Sequence, residues 1–95
     1  MTLRALIVDP DDHVATALAD LDAGESLRLA AGSQTHEVTV REPIPYGHKL
    51  ALMNLSAGQA VLKYGAPIGR ARFDIAAGSH VHLHNLSTQR VGGLA

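Results

Sequence analysis

The chain has no cysteine in its 95 residues. That excludes disulfides, thiolate nucleophiles and cysteine-ligated zinc, and it fits a reducing compartment, so a cytoplasmic protein is expected. Tryptophan is also missing, and Phe, Tyr and Trp together make up 3% of a chain that is 46% hydrophobic. The core must therefore be built from Ala, Val, Leu and Ile, which bury little area each and give a domain of modest stability. No apolar run approaches the roughly 20 residues of a membrane-spanning helix. The N-terminal run Leu3-Arg4-Ala5-Leu6-Ile7-Val8 meets Asp9 at once. Charge of one sign is not in excess either: eight basic and nine acidic residues are interspersed, for a net charge of −1. Neither nucleic acid nor an anionic membrane is indicated as a partner. Paired carboxylates, a nucleophile elbow and a phosphate-binding glycine loop are all missing from the sequence.

Histidine is what the chain has in concentration. Three of its six histidines fall in His80-Val81-His82-Leu83-His84-Asn85. In an extended strand alternate side chains share a face, which puts the three imidazoles on one side and Val81 and Leu83 on the other. Such a row can bind metal, move protons near neutral pH or donate hydrogen bonds, although a solvent-facing polar strand would read the same way. Neighbouring imidazoles on the row would have Cα atoms roughly 6.6 Å apart, close enough to share an ion. The outer pair would be roughly 13 Å apart, so a third ligand would have to come from elsewhere, from His48 or a carboxylate of a partner.

The rest of the chain reads as mostly β with one short helix. A first strand covers residues 3–8. Asp11 or Asp12 then offers an N-cap, and Val14, Ala17, Leu18 and Leu21 follow at helical spacing, predicting an amphipathic helix over 12–22. Residues 27–31 and 35–40 flank Gly32-Ser33 as a hairpin. Three segments share a pattern: Leu21-Asp22-Ala23-Gly24, Leu55-Ser56-Ala57-Gly58 and Ile75-Ala76-Ala77-Gly78. In each, an apolar residue closes one element and glycine permits a positive-φ turn. Tyr64 is read as a core filler with its hydroxyl at the edge. Residues 1–88 form one domain, and 89–95 read as a frayed tail or linker.

Four stretches also carry a family resemblance. They are Asp12-His13-Val14-Ala15-Thr16-Ala17-Leu18, Ile44-Pro45-Tyr46-Gly47-His48-Lys49-Leu50-Ala51-Leu52, Lys63-Tyr64-Gly65-Ala66-Pro67-Ile68-Gly69, and Asp74-Ile75-Ala76-Ala77-Gly78 running on through His82-Leu83-His84-Asn85. In this order and spacing the chain resembles the small SAF domain of the altronate and galactarate dehydratase family, which also includes the small subunit of a sulfolactate sulfo-lyase. The resemblance implies a β-clip, a pseudo-barrel of short strands with long turns. It also implies a lyase that eliminates water from a sugar acid to give a 2-keto-3-deoxy acid. The partner implied is a large dehydratase-like subunit. A divalent metal (Fe, Mn or Mg) would be held mainly by that subunit, because this chain lacks clustered acidic ligands. Family members often carry Asn at the position of His13, which sets that residue aside.

The candidate catalytic residues are His48, Lys49, His82, His84 and Asn85, with His82 and His84 as metal contacts; His80 stays outside that set. Lys49 would attract a small acidic substrate, and an imidazole would supply the acid or base. Three outcomes remain open: a dehydratase small subunit or domain fragment, a sulfo-lyase small subunit, and a non-catalytic lid or assembly module. The first is preferred because residues 14–21 look closer to the altronate-type segment.

Overall fold

Four tight turns of one form, apolar-x-x-Gly, set the course of the backbone. They begin at Leu21, Ile44, Leu55 and Ile75. Their glycines, Gly24, Gly47, Gly58 and Gly78, have φ of 95°, 83°, 83° and 88°, a left-handed conformation that glycine adopts without steric cost. In each, the amide after the glycine donates to the carbonyl three residues back, as His48 N does to Pro45 O at 3.0 Å. The turns work in pairs. Leu21 and Ile44 exchange both backbone hydrogen bonds at 2.8 and 3.0 Å, and Leu55 and Ile75 do the same at 2.8 Å each. Three of these corners follow the pattern read from sequence. Ile44-Pro45-Tyr46-Gly47 is the fourth, disguised by its proline.

The computed structural model describes residues 3–88. Between the corners run β1 (Ala5–Leu6), β2 (Val14–Ala17), β3 (Ser26–Ala31), β4 (Gln34–Thr39), β5 (Lys49–Ala51), β6 (Ala60–Lys63), β7 (Ala66–Ala71), β8 (His80–Val81) and β9 (Leu86–Ser87). They form three open antiparallel sheets: β1-β2-β5-β8, the hairpin β3-β4, and β6-β7-β9. The four-stranded sheet lies in the middle. On one face Ala5, Ala15, Ala17 and Leu50 pack with Leu27, Leu29 and Val38 of the hairpin. On the other, Val14, Ala51 and Val81 pack with Val61, Ala71 and Leu86. The expected mostly β character, the short strands and the hairpin around Gly32-Ser33 are all present. The sheets do not close into a barrel.

The helix expected over 12–22 is absent: no helix occurs among the described residues. β2 occupies that segment because it is a central strand, paired with β1 on one side and β5 on the other. Val14, Ala15 and Ala17 are each 1% exposed, so both faces are buried and neither helical nor alternating polarity survives to be read. Asp12 caps no helix. Its buried carboxylate accepts from the amides of Tyr64 at 3.0 Å, Gly65 at 2.8 Å and Asp9 at 3.1 Å. That holds the two-residue turn between β6 and β7, where Tyr64 and Gly65 both have positive φ, 57° and 75°. Tyr64 is 61% exposed and does not fill the core. The first strand is shorter than expected, with Leu3, Leu6 and Val8 exposed around buried Ala5 and Ile7. The expected tail, 89–95, lies outside the described residues.

Because Asp12 serves three backbone donors in a place that water does not reach, Asp12→Ala is expected to cost roughly 3 kcal/mol of unfolding free energy. Asp11→Ala, on the exposed side of the same loop, should stay within about 0.5 kcal/mol. Urea denaturation of both variants checks the difference.

Candidate functional site

Two corners and one strand pair assemble the histidines. His48 follows Gly47 directly, and His80 lies two residues beyond Gly78. β5 and β8 then pair in the register Leu50↔His80 and Lys49↔Val81, which draws the two segments together. His48 Nδ1 and His80 Nε2 are 2.9 Å apart, a hydrogen bond for which one ring supplies the N–H and the other the lone pair. His82 stacks on His48 with ring centroids 4.4 Å apart and lies 5.4 Å from His80. One nitrogen from each of His48, His80 and His82 falls within 4.8 Å of the others, and all three residues are half-buried.

The row 80–85 is not one strand. Pairing stops after Val81, and residues 82–85 turn back, with Asn85 N and Leu86 N both donating to His82 O at 3.1 and 2.8 Å. Asn85 locks the turn. Its Oδ1 accepts from His82 N at 2.9 Å and its Nδ2 donates to His80 O at 2.8 Å, which leaves the side chain buried. Here Asn85 positions the imidazoles and does not itself face outward. Leu83 does not share a buried face with Val81: Val81 is 0% exposed and Leu83 is 61% exposed. The turn also keeps His84 near the cluster, tilted against His80 with centroids 5.3 Å apart, but exposed and outside the three-nitrogen group.

His80, which sequence reasoning leaves out, is therefore the ring that touches His48, His82 and His84. The signal that could have found it is the i, i+2 spacing itself, since His80 is the one histidine of the row that lies on the paired strand. Glu42 was not a candidate either; its Oε2 accepts from His80 N at 3.1 Å. His13 is a backbone bridge, with Nδ1 accepting from Leu62 N at 2.9 Å. Lys49 is half-buried on β5.

Electrostatics disfavour the protonated forms of His80 and His82. Burial lowers the pKa of His80 first, followed by repulsion from His48, His84 and His82, against a smaller opposing pull from Glu42. His82 is lowered by desolvation, then by His48, Lys49 and His84. Burial also lowers Lys49, with a further push from Lys63. Neutral imidazoles can accept a proton, pass one along or ligate a metal. The set suits a borderline transition metal; magnesium prefers an oxygen cage that these residues do not provide.

Residues 3–89 match the family described as the altronate/galactarate dehydratase SAF domain. The chain belongs to that family. It is 51% identical over 77 residues to altronate dehydratase from Escherichia coli (strain K12), covering 81% of this chain but 15% of that protein. It is 38% identical over 81 residues to altronate dehydratase from Bacillus subtilis (strain 168), again covering only 16% of the relative. Against (2R)-sulfolactate sulfo-lyase subunit alpha from Chromohalobacter salexigens the identity is 36% over 93 residues, covering 95% of this chain and 99% of the relative. The chain thus spans about 15% of the altronate dehydratases and nearly all of the alpha subunit. In this SAF domain the three clustered histidines are half-buried, with exposed His84 beside them. Depressions lined by Arg28 and Glu37 and by Asn54 and Asp74 lie elsewhere.

Two outcomes follow from the turn and from the lowered histidines. Val81→Ala should cost roughly 1–3 kcal/mol, whereas Leu83→Ala should stay within about 0.5 kcal/mol, as read by thermal melting. For His80 and His82, whose folded pKa values lie below the unfolded one, the unfolded chain binds more protons as pH falls, so stability drops below about pH 6.5. In chelator-treated protein, His80→Gln and His82→Gln should each flatten the fall in melting temperature between pH 7.5 and 5.

Proposed function

We propose that this SAF domain is the small subunit of a two-subunit lyase in the cytoplasm, and that its imidazole rim completes an active site on a large dehydratase-like subunit. The observation that carries this reading is the convergence of His48, His80 and His82, from two separate segments, on an open face of a domain that covers 99% of a sulfo-lyase alpha subunit. An elimination needs to be shielded from bulk water, and an open rim gains that shielding only when a partner covers it.

The reaction class proposed is β-elimination from a 2-hydroxy acid, with a sugar acid such as altronate or galactarate as substrate. A base must take the proton next to the carboxylate, a cation must hold that carboxylate, and an acid must protonate the departing hydroxyl. Lys49 supplies positive charge beside the rim and draws in the acidic substrate. His82, neutral and partly exposed, exchanges a proton with the reacting end of the substrate. His48 and His80 hold the adjoining proton between them at 2.9 Å, so a proton gained by His82 has neighbours positioned to take it up. Asn85 fixes the backbone from which His80 and His82 project. A divalent metal bound with the large subunit would stabilise the enolate charge.

The sugar-acid reading is supported by the 51% identity to altronate dehydratase. A second reading, sulfite elimination from sulfolactate, is supported by the full-length correspondence to the alpha subunits. The isolated chain is expected to give no turnover. Co-purified with its large subunit, it should form keto-deoxy acid from altronate or galactarate, and His82→Ala should lower that rate by roughly 10². Offering altronate, galactarate and 3-sulfolactate together separates the readings: sulfite release without keto-deoxy acid selects the second. Wild-type rates with His48, His80 and His82 each replaced would leave only a lid or assembly role.

A further inference from the structure

We infer that His48, His80 and His82 form a metal site that this chain can fill alone, selective for a divalent ion of the iron-to-zinc series. The nitrogens are already near the spacing an ion requires. Metal–imidazole bonds are about 2.0–2.1 Å, so two ligands at right angles lie about 2.9 Å apart and two at a tetrahedral angle about 3.4 Å apart. His48 Nδ1 and His80 Nε2 are 2.9 Å apart. In the metal-free chain that spacing demands one N–H and one lone pair. When an ion enters, the donor ring moves its proton to its far nitrogen, and both facing nitrogens present lone pairs with no net proton lost. The third nitrogen, on His82, is within 4.8 Å of the others; its backbone is held by Asn85, so the remaining distance is closed by rotation of the imidazole about its side-chain bonds.

The donor set decides the metal. Three imidazoles without a carboxylate suit Fe, Co, Ni, Cu or Zn, while magnesium and calcium require oxygen. This is the one group of three or more candidate ligands among the described residues. The backbone from which the central ring projects is fixed: His80 N donates to Glu42 and His80 O accepts from Asn85. Because the rim is open, three protein ligands leave coordination positions for water or another ligand.

This site is independent of the lyase reading and exclusive with its proton-exchange roles, which need His48, His80 and His82 metal-free; its test uses neither substrate nor large subunit. The 95-residue chain, free of any affinity tag and stripped with chelator, is titrated with Co²⁺ while its visible absorption is followed. One Co²⁺ per chain is expected, with d–d bands, and Zn²⁺ should displace it and raise the melting temperature. Millimolar Mg²⁺ or Ca²⁺ should do neither. His48→Gln, His80→Gln and His82→Gln should each weaken Co²⁺ binding at least tenfold, whereas His36→Gln and His84→Gln should change it less than about threefold. Should a variant fail to fold, wild-type NMR answers the same question: paramagnetic Co²⁺ should shift or broaden the ring signals of His48, His80 and His82 first. The proposal is overturned if Co²⁺ and Zn²⁺ do not bind below millimolar concentration. Binding that survives the three substitutions, or first perturbs other histidines, overturns it equally.

Discussion

The structure depends on the paired corner turns. With so little aromatic area to bury, the chain gains cohesion by bringing backbone close to backbone, and glycine makes the approach possible. A Cβ at Gly78 would lie 1.9 Å from Thr39 O, and one at Gly69 would lie 2.1 Å from Ser87 O. No side chain fits at either place. The reciprocal bonds between Leu21 and Ile44 and between Leu55 and Ile75 then tie each corner to another. Further links strengthen them: Asp20, Asn54 and Asp74, each just before a bridging apolar residue, accept from the amides of Tyr46, Ala77 and Ala57 in the opposing turns. The site inherits this frame, because His48 and His80 stand one and two residues downstream of corner glycines.

Much of this was legible in the residues. Alternation over 27–31 and 35–40 disclosed the hairpin, because one face of that pair is wet and the other buried, as Leu27, Leu29 and Val38 show. The same rule fails where a strand is buried on both faces. Val14, Ala15 and Ala17 lie between two cores, so their spacing carried no strand signal and imitated a helix. The histidine row failed at its far end for a different reason. A single buried Asn85 ends the strand by offering the backbone of His80 and His82 better partners than a neighbouring strand does. What sequence spacing treated as a line over 13 Å long is instead a knot, and His48, more than thirty positions away in sequence, enters it through the β5–β8 register.

That knot bears on function through its charge state. Burial, and then the neighbouring imidazoles, disfavour the protonated forms of His80 and His82. A lid would need only shape and polarity at the rim. Imidazoles that face one another at hydrogen-bonding distance, as His48 and His80 do, are what proton exchange and metal ligation have in common. The fold does not choose between removing water from a sugar acid and sulfite from sulfolactate. The proposed role of the rim is compatible with either, since both acids carry a carboxylate beside a hydroxyl-bearing carbon and differ in the leaving group one carbon further on.

Why the imidazole stands at this corner and not at the others has a local cause. At two corners, the residue after the glycine folds back to cap its own turn: Glu25 Oε1 accepts from Asp22 N at 3.3 Å, and Gln59 Oε1 accepts from Ser56 N at 2.9 Å. The matching position in the turn before His48 is Pro45, which has no N–H to cap. Position 48 is thereby released from the structural duty that its counterparts perform. Its side chain can point across to His80, at no cost in unsatisfied backbone. The proline that hid this corner in the sequence is thus also what leaves its histidine free to reach His80.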